Sequence, residues 1–211
     1  MNLSVLGATA LSGSIVIPSS KSHSIRTLLL AALANGSSTV QRVLTCDDTH
    51  AARELIKSLG AHEHITGEDS SSVTLSIQGR GDVSLGGSFH TGNSGITTHF
   101  FLALAAVLAD PKQSIEISCG EQMKQRPVRA LLDVLRSGGV SIECLEESDR
   151  LPIRIHGRLS GGSLSVDGSS SQYVSALLFA LPLCPTDSML RVRNLCERPY
   201  VALTATYLDE Q

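Results

Sequence analysis

Ser19-Ser-Lys-Ser-His-Ser-Ile-Arg26 runs straight into Thr27-Leu-Leu-Leu-Ala-Ala-Leu-Ala34: small polar residues with two cations, then an apolar segment of helical length. The same order returns at Thr91-Gly-Asn-Ser-Gly-Ile-Thr-Thr98 with His99-Phe-Phe-Leu-Ala-Leu-Ala-Ala106. It returns again at Gly168-Ser-Ser-Ser-Gln-Tyr-Val-Ser175 with Ala176-Leu-Leu-Phe-Ala-Leu-Pro-Leu183. Each apolar run meets a turn signal, at Asn35-Gly36, Asp110-Pro111 and Pro185-Thr186. An alternating strand pattern follows each, at Thr39–Leu44, Ser114–Ser118 and Met189–Val192. The copies stand roughly 70–80 residues apart, the length of a duplicated supersecondary unit rather than of a short solenoid repeat.

A second landmark recurs in step. Asp47-Asp48 opens a helix that runs to Leu59-Gly60-Ala61. Arg126-Pro127 opens one through Leu135 to Gly138-Gly139, with proline in its first turn and glycine at its end. Arg198-Pro199 opens a third, which runs on to Gln211. Strands after these second helices are expected at Ser72–Ile77, Ser141–Leu145 and Ile153–His156. Each unit thus reads as β-α-β-α-β-β, and three such units predict a mixed α/β (α+β) domain. By the same pattern the third unit is truncated, so a C-terminal continuation is expected.

Composition narrows the function classes. Of 211 residues 42% are hydrophobic and 18% charged, with 3% aromatic and no Trp, so the core rests on aliphatic side chains. A net charge of −3 gives no general pull on nucleic acid. Five widely spaced cysteines without a C-x-x-C pair argue against a disulfide framework or a zinc site. No signal peptide is visible, and the longest apolar runs are too short to span a bilayer, which predicts a cytoplasmic protein and no membrane partner. His62-x-His64 reads as an exposed turn rather than a metal site. There is no G-x-S-x-G elbow for hydrolysis and no phosphate-binding loop of the G-x-x-x-x-G-K-[ST] kind.

The chemistry concentrates where the first helices begin. A helix N-terminus presents unpaired N–H groups and the positive end of the dipole, so it favours anions. The first carries Lys21, Ser22 and Arg26, the second Gly92, Asn93 and Gly95, the third Ser170, Ser171 and Gln172. Each serine alone is also an ordinary N-cap, and it is the threefold coincidence that predicts an anion site. Lys124 and Arg126 stand ahead of a further helix start, where cations oppose the dipole unless a ligand uses them.

These segments resemble a known family. Ile17-Pro-Ser-Ser-Lys21-Ser22-His-Ser-Ile-Arg26 and the apolar run after it are similar to the amino-terminal signature of EPSP synthases, the 3-phosphoshikimate 1-carboxyvinyltransferases. Gly92-Asn-Ser-Gly95, Met123-Lys-Gln-Arg126-Pro127, Gly168-Ser-Ser-Ser-Gln172 and Arg198-Pro-Tyr200 resemble that family's later motifs, in order. The resemblance implies the family's inside-out barrel domain of three β-α-β-α-β-β units, filling residues 19–211, with a C-terminal domain as partner. It implies that residues 1–18 hold a first strand, about Leu3 to Val16, packing with that second domain. It implies transfer of the carboxyvinyl group of phosphoenolpyruvate to the 5-hydroxyl of shikimate 3-phosphate, in aromatic amino-acid biosynthesis, with no metal or organic cofactor.

Residue by residue, the resemblance gives Ser22, Arg26, Ser170, Ser171 and Tyr200 to shikimate 3-phosphate. Lys21 and Gln172 would touch both substrates, with Lys21 the shared contact nearest the chemistry. Gly95 and Arg126 would meet phosphoenolpyruvate, where glyphosate competes. The acid/base carboxylates would belong to the other domain, so this half by itself is expected to turn over little or not at all. Two departures stand out: Ile96, His99 and Phe100 follow Gly95 where the family continues with threonine and a later Arg-Pro, and Glu197 replaces a serine before the basic-Pro-Tyr motif. The alternatives are a non-catalytic phosphometabolite-binding module and a UDP-N-acetylglucosamine enolpyruvyl transferase-like domain, the latter disfavoured by Lys21-Ser22 and the absence of Cys from Gln122–Gln125.

Overall fold

The computed structural model describes residues 3, 4, 6, 7, 10 and 12–210. The first unit comprises α1 (Lys21–Leu33), β1 (Ser37–Leu44), α2 (Asp47–Ser58), β2 (His62–Glu68) and β3 (Ser72–Gln78). The second runs β4 (Gly87–His90), α3 (Gly95–Leu108), β5 (Ser114–Ser118), the single turn α4 (Glu121–Lys124), α5 (Arg129–Ser137), β6 (Ser141–Cys144) and β7 (Ile153–His156). The third holds β8 (Gly162–Asp167), α6 (Ser171–Ala180), β9 (Ser188–Arg193) and α7 (Arg198–Asp209). The repeat is therefore real, and the second unit shows it whole.

Among the described residues three small sheets wrap a helical centre. Their orders are β1-β3-β2, β4-β5-β7-β6 and β8-β9. β4 pairs in parallel with β5, and β8 with β9, each pair bridged by the buried first helix of its unit. The hairpins β2-β3 and β6-β7 are antiparallel. At the centre lies α3, in which every residue from Gly95 to Leu108 is buried. Its apolar residues occupy all faces, and a helix with no polar face is stable only inside a core. Phe100 packs edge-on to Phe179 of α6, and Phe101 against Phe89 of β4. By contrast α5 is amphipathic, burying Leu131, Leu132, Val134 and Leu135 while Arg129 and Asp133 face water.

Three expectations change, and the strand expected within residues 1–18 falls partly outside the described residues. Between Leu3 and Val16 the described residues form no strand, and Leu3, Leu6, Ile15 and Val16 lie exposed. Val5, Ala8, Thr9 and Leu11 of that stretch fall outside the described residues. In the other two units the strand before the first helix pairs with the strand after it; β1 pairs only with β3 among the described residues. An extended segment without a sheet neighbour leaves its backbone groups to water.

His62 and His64 do not form a turn: both lie on β2, opposite Gln78 and Ser76 of β3. Pro127 does not open α5, which starts at Arg129. Instead Glu121–Lys124 makes its own turn, and Pro127 bars helical backbone at the residue before it. Lys124 consequently stands at the C-terminal end of α4, where a cation suits the dipole. It pairs with Glu121 at 3.4 Å and Glu146 at 3.7 Å. The dipole argument for a ligand at Lys124 is overturned.

Candidate functional site

The three buried helices begin alike. Ser20, Ser94 and Ser170 are their N-caps, accepting from the N–H of His23 at 3.4 Å, Thr97 at 3.3 Å and Gln172 at 3.3 Å. Each cap satisfies one orphan N–H and leaves others at the helix start available. The first two helical residues of all three, Lys21-Ser22, Gly95-Ile96 and Ser171-Gln172, line one cleft of about 370 Å³. Three positive dipole ends thus meet at one place.

Eight of the nine residues expected to hold substrate line this cleft; Ser170 does not, its hydroxyl being spent as the α6 cap. Three cations, Lys21, Arg26 and Arg126, stand against two carboxylates, Asp48 and Glu197. Lys21 Nζ reaches Asp48 Oδ2 at 3.2 Å, a half-exposed pair that leaves the ammonium mobile enough to serve a ligand. Arg126, exposed, makes no side-chain hydrogen bond or ion pair among the described residues.

Arg26 differs from both. It is buried to 1% exposure, and its donors are largely used by the protein. Nε donates to Thr204 Oγ1 at 2.8 Å, Nη1 to the Ser22 carbonyl at 2.9 Å, and Nη2 to Ser175 Oγ and the Tyr200 carbonyl at 3.3 Å each. The guanidinium carbon sits 5.2 Å from the centre of the Phe100 ring. Burial pulls its pKa down to about 10, with Tyr207 and Tyr200 partly offsetting, so it stays charged at neutral pH. It meets no carboxylate among the described residues, so its charge contributes an uncancelled positive field to the cleft wall. Tyr200 also lines the cleft, and its carbonyl anchors Arg26.

Gly95 is where side-chain bulk would intrude. A Cβ there would lie 3.2 Å from Arg126 Nη1 and 3.4 Å from Gln172 Oε1. Glycine therefore lets both side chains close over the start of α3. Below them His99, 7% exposed, meets Gln172 Oε1 through Nδ1 at 2.8 Å, and its ring stands edge-on to Tyr173 with centroids 4.9 Å apart. Its other nitrogen, Nε2, has no partner among the described residues. Burial, aided by Arg126, holds the imidazole neutral with a pKa of about 4, the Gln172 bond offsetting part of that.

Several cleft residues escaped the sequence reading. Asp48 belonged to a recognised helix start but was not connected to Lys21, 27 positions earlier. Asn93 was read as part of an anion-binding start, yet its Oδ1 accepts from the N–H of Gln122 at 3.1 Å and Met123 at 3.4 Å. It thus caps α4 and brings Gln122 to the cleft. Glu197 was noticed only as a departure. It adopts φ +50°, ψ +45°, a left-handed backbone costly for a residue with a Cβ, and its Oε2 accepts from Ser171 Oγ at 2.7 Å.

Comparison with known proteins identifies the family. The family model described as EPSP synthase (3-phosphoshikimate 1-carboxyvinyltransferase) matches residues 5–210. The 3-phosphoshikimate 1-carboxyvinyltransferase of Enterobacter sp. (strain 638) is 35% identical over 194 residues, covering 91% of this chain and 45% of that protein. That of Proteus mirabilis (strain HI4320) is 35% identical over 207 residues, covering 93% and 46%. Among solved structures, EPSP synthase from Acinetobacter baumannii superposes with a TM-score of 0.68 at 23% identity, over 80% of this chain and 37% of that one. The enolpyruvyl transferase NikO from Streptomyces tendae gives 0.58 at 17% identity, over 96% and 45%; at such identities these two speak to the fold alone. This chain spans less than half the length of the curated relatives it matches, and over that span, on a match running almost from end to end, it belongs to the EPSP synthase family.

Proposed function

We propose that this chain supplies the shikimate 3-phosphate-binding half of a 3-phosphoshikimate 1-carboxyvinyltransferase, acting in the cytoplasm with a C-terminal domain as its partner. The observation that carries the reading is the convergence of three serine-capped helix starts on one cleft lined by Lys21, Arg26 and Arg126. A helix start alone contributes about 0.3–1 kcal/mol toward an anion, and each charge-assisted hydrogen bond about 1.5–3 kcal/mol. Three starts with two mobile cations suit a pair of anionic substrates better than a single neutral one.

In this reading Ser22, Ser171, Gln172 and Tyr200 hold the sugar phosphate, with the buried charge of Arg26 behind them. Gly95 and Arg126 meet phosphoenolpyruvate, and Lys21 and Gln172 span both. The chain binds and orients the two anions, and closure of the second domain excludes water and brings the acid/base groups. No helix among the described residues is long and apolar enough to cross a membrane.

The test is calorimetric titration of the chain with shikimate 3-phosphate, beside Lys21→Met. Lys21 is half-exposed, so its replacement leaves the fold intact. Saturable binding weakened at least tenfold in the variant supports the reading. A folded wild-type chain with no affinity for shikimate 3-phosphate overturns it. Addition of a complementary C-terminal domain then separates an enzyme half, which gains turnover, from a phosphometabolite-binding module, which does not.

A further inference from the structure

We propose that His99 is a positioning residue: by holding the carbonyl oxygen of Gln172 with its Nδ1–H, it turns the amide N–H donors of Gln172 toward the cleft. The inference rests on the reading of that cleft as an anion site. A glutamine amide is as ready to offer an acceptor as a donor, and an acceptor facing a phosphate or carboxylate is repulsive. Something must therefore fix which end faces the ligand, and Gln172, at the second position of α6, has a free choice unless a neighbour takes one end.

His99 is that neighbour. Its Nδ1 lies 2.8 Å from Gln172 Oε1, and the imidazole is locked by burial and by the edge-on Tyr173 ring. The opposite arrangement has a specific cost. If the amide were reversed, Gln172 would donate to Nδ1 and the ring proton would move to Nε2. That nitrogen is buried and has no partner among the described residues, so an N–H there would be left without an acceptor. The nearby cationic Arg126 guanidinium opposes a second ring proton, so His99 is neutral and carries its single proton on one nitrogen only. The partnerless Nε2 thus places the proton on Nδ1, the oxygen of Gln172 on His99, and the amide nitrogen toward the ligand.

The tautomer is measurable without any ligand. Long-range ¹⁵N–¹H correlation spectra of the wild-type chain near pH 7 should show His99 protonated on Nδ1, the minority form for a free imidazole. His99→Leu, which removes the donor, should weaken shikimate 3-phosphate binding about tenfold in a titration, and His99→Asn, which retains an amide N–H near the position of Nδ1, should restore most of it. Thermal melts establish that both variants are folded. An Nε2-protonated His99 overturns the inference whatever the binding data show. So does unchanged affinity in His99→Leu. If the folded wild-type chain binds no shikimate 3-phosphate, the proposed function fails, while the tautomer still decides how Gln172 is held.

Discussion

Arg26 Nε, on the first helix of the chain, donates to the hydroxyl of Thr204, on the last, at 2.8 Å, with the two side chains 1% and 0% exposed. The bond fastens the first unit to the third at the wall of the cleft. It also assigns Arg26 a structural task that a sequence motif read as pure substrate binding conceals. Thr204→Val removes the acceptor while keeping the shape, so the chain should lose about 1.5–3 kcal/mol, the usual range for a hydrogen bond to a charged group. Arg26→Ala should cost more, because it also opens a cavity beside Phe100. Urea unfolding at fixed pH measures both. A loss below about 0.5 kcal/mol in Thr204→Val, the scatter typical of surface substitutions, would show that the bond is not a fastening.

Glu197 has the opposite character, an exposed carboxylate on an anion-binding cleft. Its contact with Ser171 at 2.7 Å occupies a hydroxyl that a sugar phosphate would need. Replacing it with serine removes the like charge and frees Ser171. Glu197→Ser should therefore bind shikimate 3-phosphate more tightly, by roughly tenfold or about 1.4 kcal/mol. The gain should shrink with added salt, since exposed charges are screened over about 8–10 Å at physiological ionic strength. Titrations of wild type and variant at low and high salt decide it; equal affinities at low salt would mean that Glu197 swings aside at no cost.

Gly95 gives a selective prediction. The Cβ of Gly95→Ala would press on the ends of two flexible side chains, Arg126 at 3.2 Å and Gln172 at 3.4 Å, with the His99 ring at an ordinary contact distance of 4.0 Å. Both can yield by a few tenths of an ångström, so the melting temperature should scarcely change. The tighter contact is with Arg126, proposed to meet phosphoenolpyruvate, whereas Gln172, proposed to span both substrates, is at ordinary contact distance. If the proposed function holds and the chain is joined by a complementary C-terminal domain, the variant should raise the KM for phosphoenolpyruvate several-fold and that for shikimate 3-phosphate clearly less. Equal effects on both substrates would place Gly95 elsewhere in the chemistry.

The threefold repeat was open to reading because its cues are local. Serine caps, apolar helical runs and turn residues act within a few positions of themselves, and β5 and β7 emerged with the expected limits. The leading strands β4 and β8 were not marked out, since Gly87–His90 is short and Gly162–Asp167 is broken by serines. They are strands because a parallel neighbour offers them hydrogen bonds, a cue absent from their own residues. The site divides in the same way. Lys21, Gln172 and Arg126 sit in motifs, whereas the Lys21–Asp48 and Ser171–Glu197 pairs and the Asn93 cap on α4 join positions 26 to 30 apart. His99 is the plainest case: inside an apolar run it looks like a stray polar residue, and its meaning lies 73 positions away in Gln172.

His99 also sets a pH dependence whose sign can be worked out. Burial holds its folded pKa at about 4, against about 6.5 for an unperturbed histidine. Between these values the unfolded chain takes up a proton that the folded chain refuses, so stability falls as pH falls from about 6.5 to 4. At 1.36 kcal/mol per pH unit, the loss across this window is about 3 kcal/mol. The Arg126 charge opposes protonation of the ring, while the hydrogen bond to Gln172 partly offsets the effect of burial. His99→Leu, with nothing to protonate there, should show a smaller drop in unfolding free energy between pH 7 and pH 4.5 than wild type, by about 2–3 kcal/mol. Urea melts of the two chains at the two pH values measure that difference directly. Parallel pH profiles would mean that water or a rearranged carboxylate reaches the ring and lets it charge inside the fold.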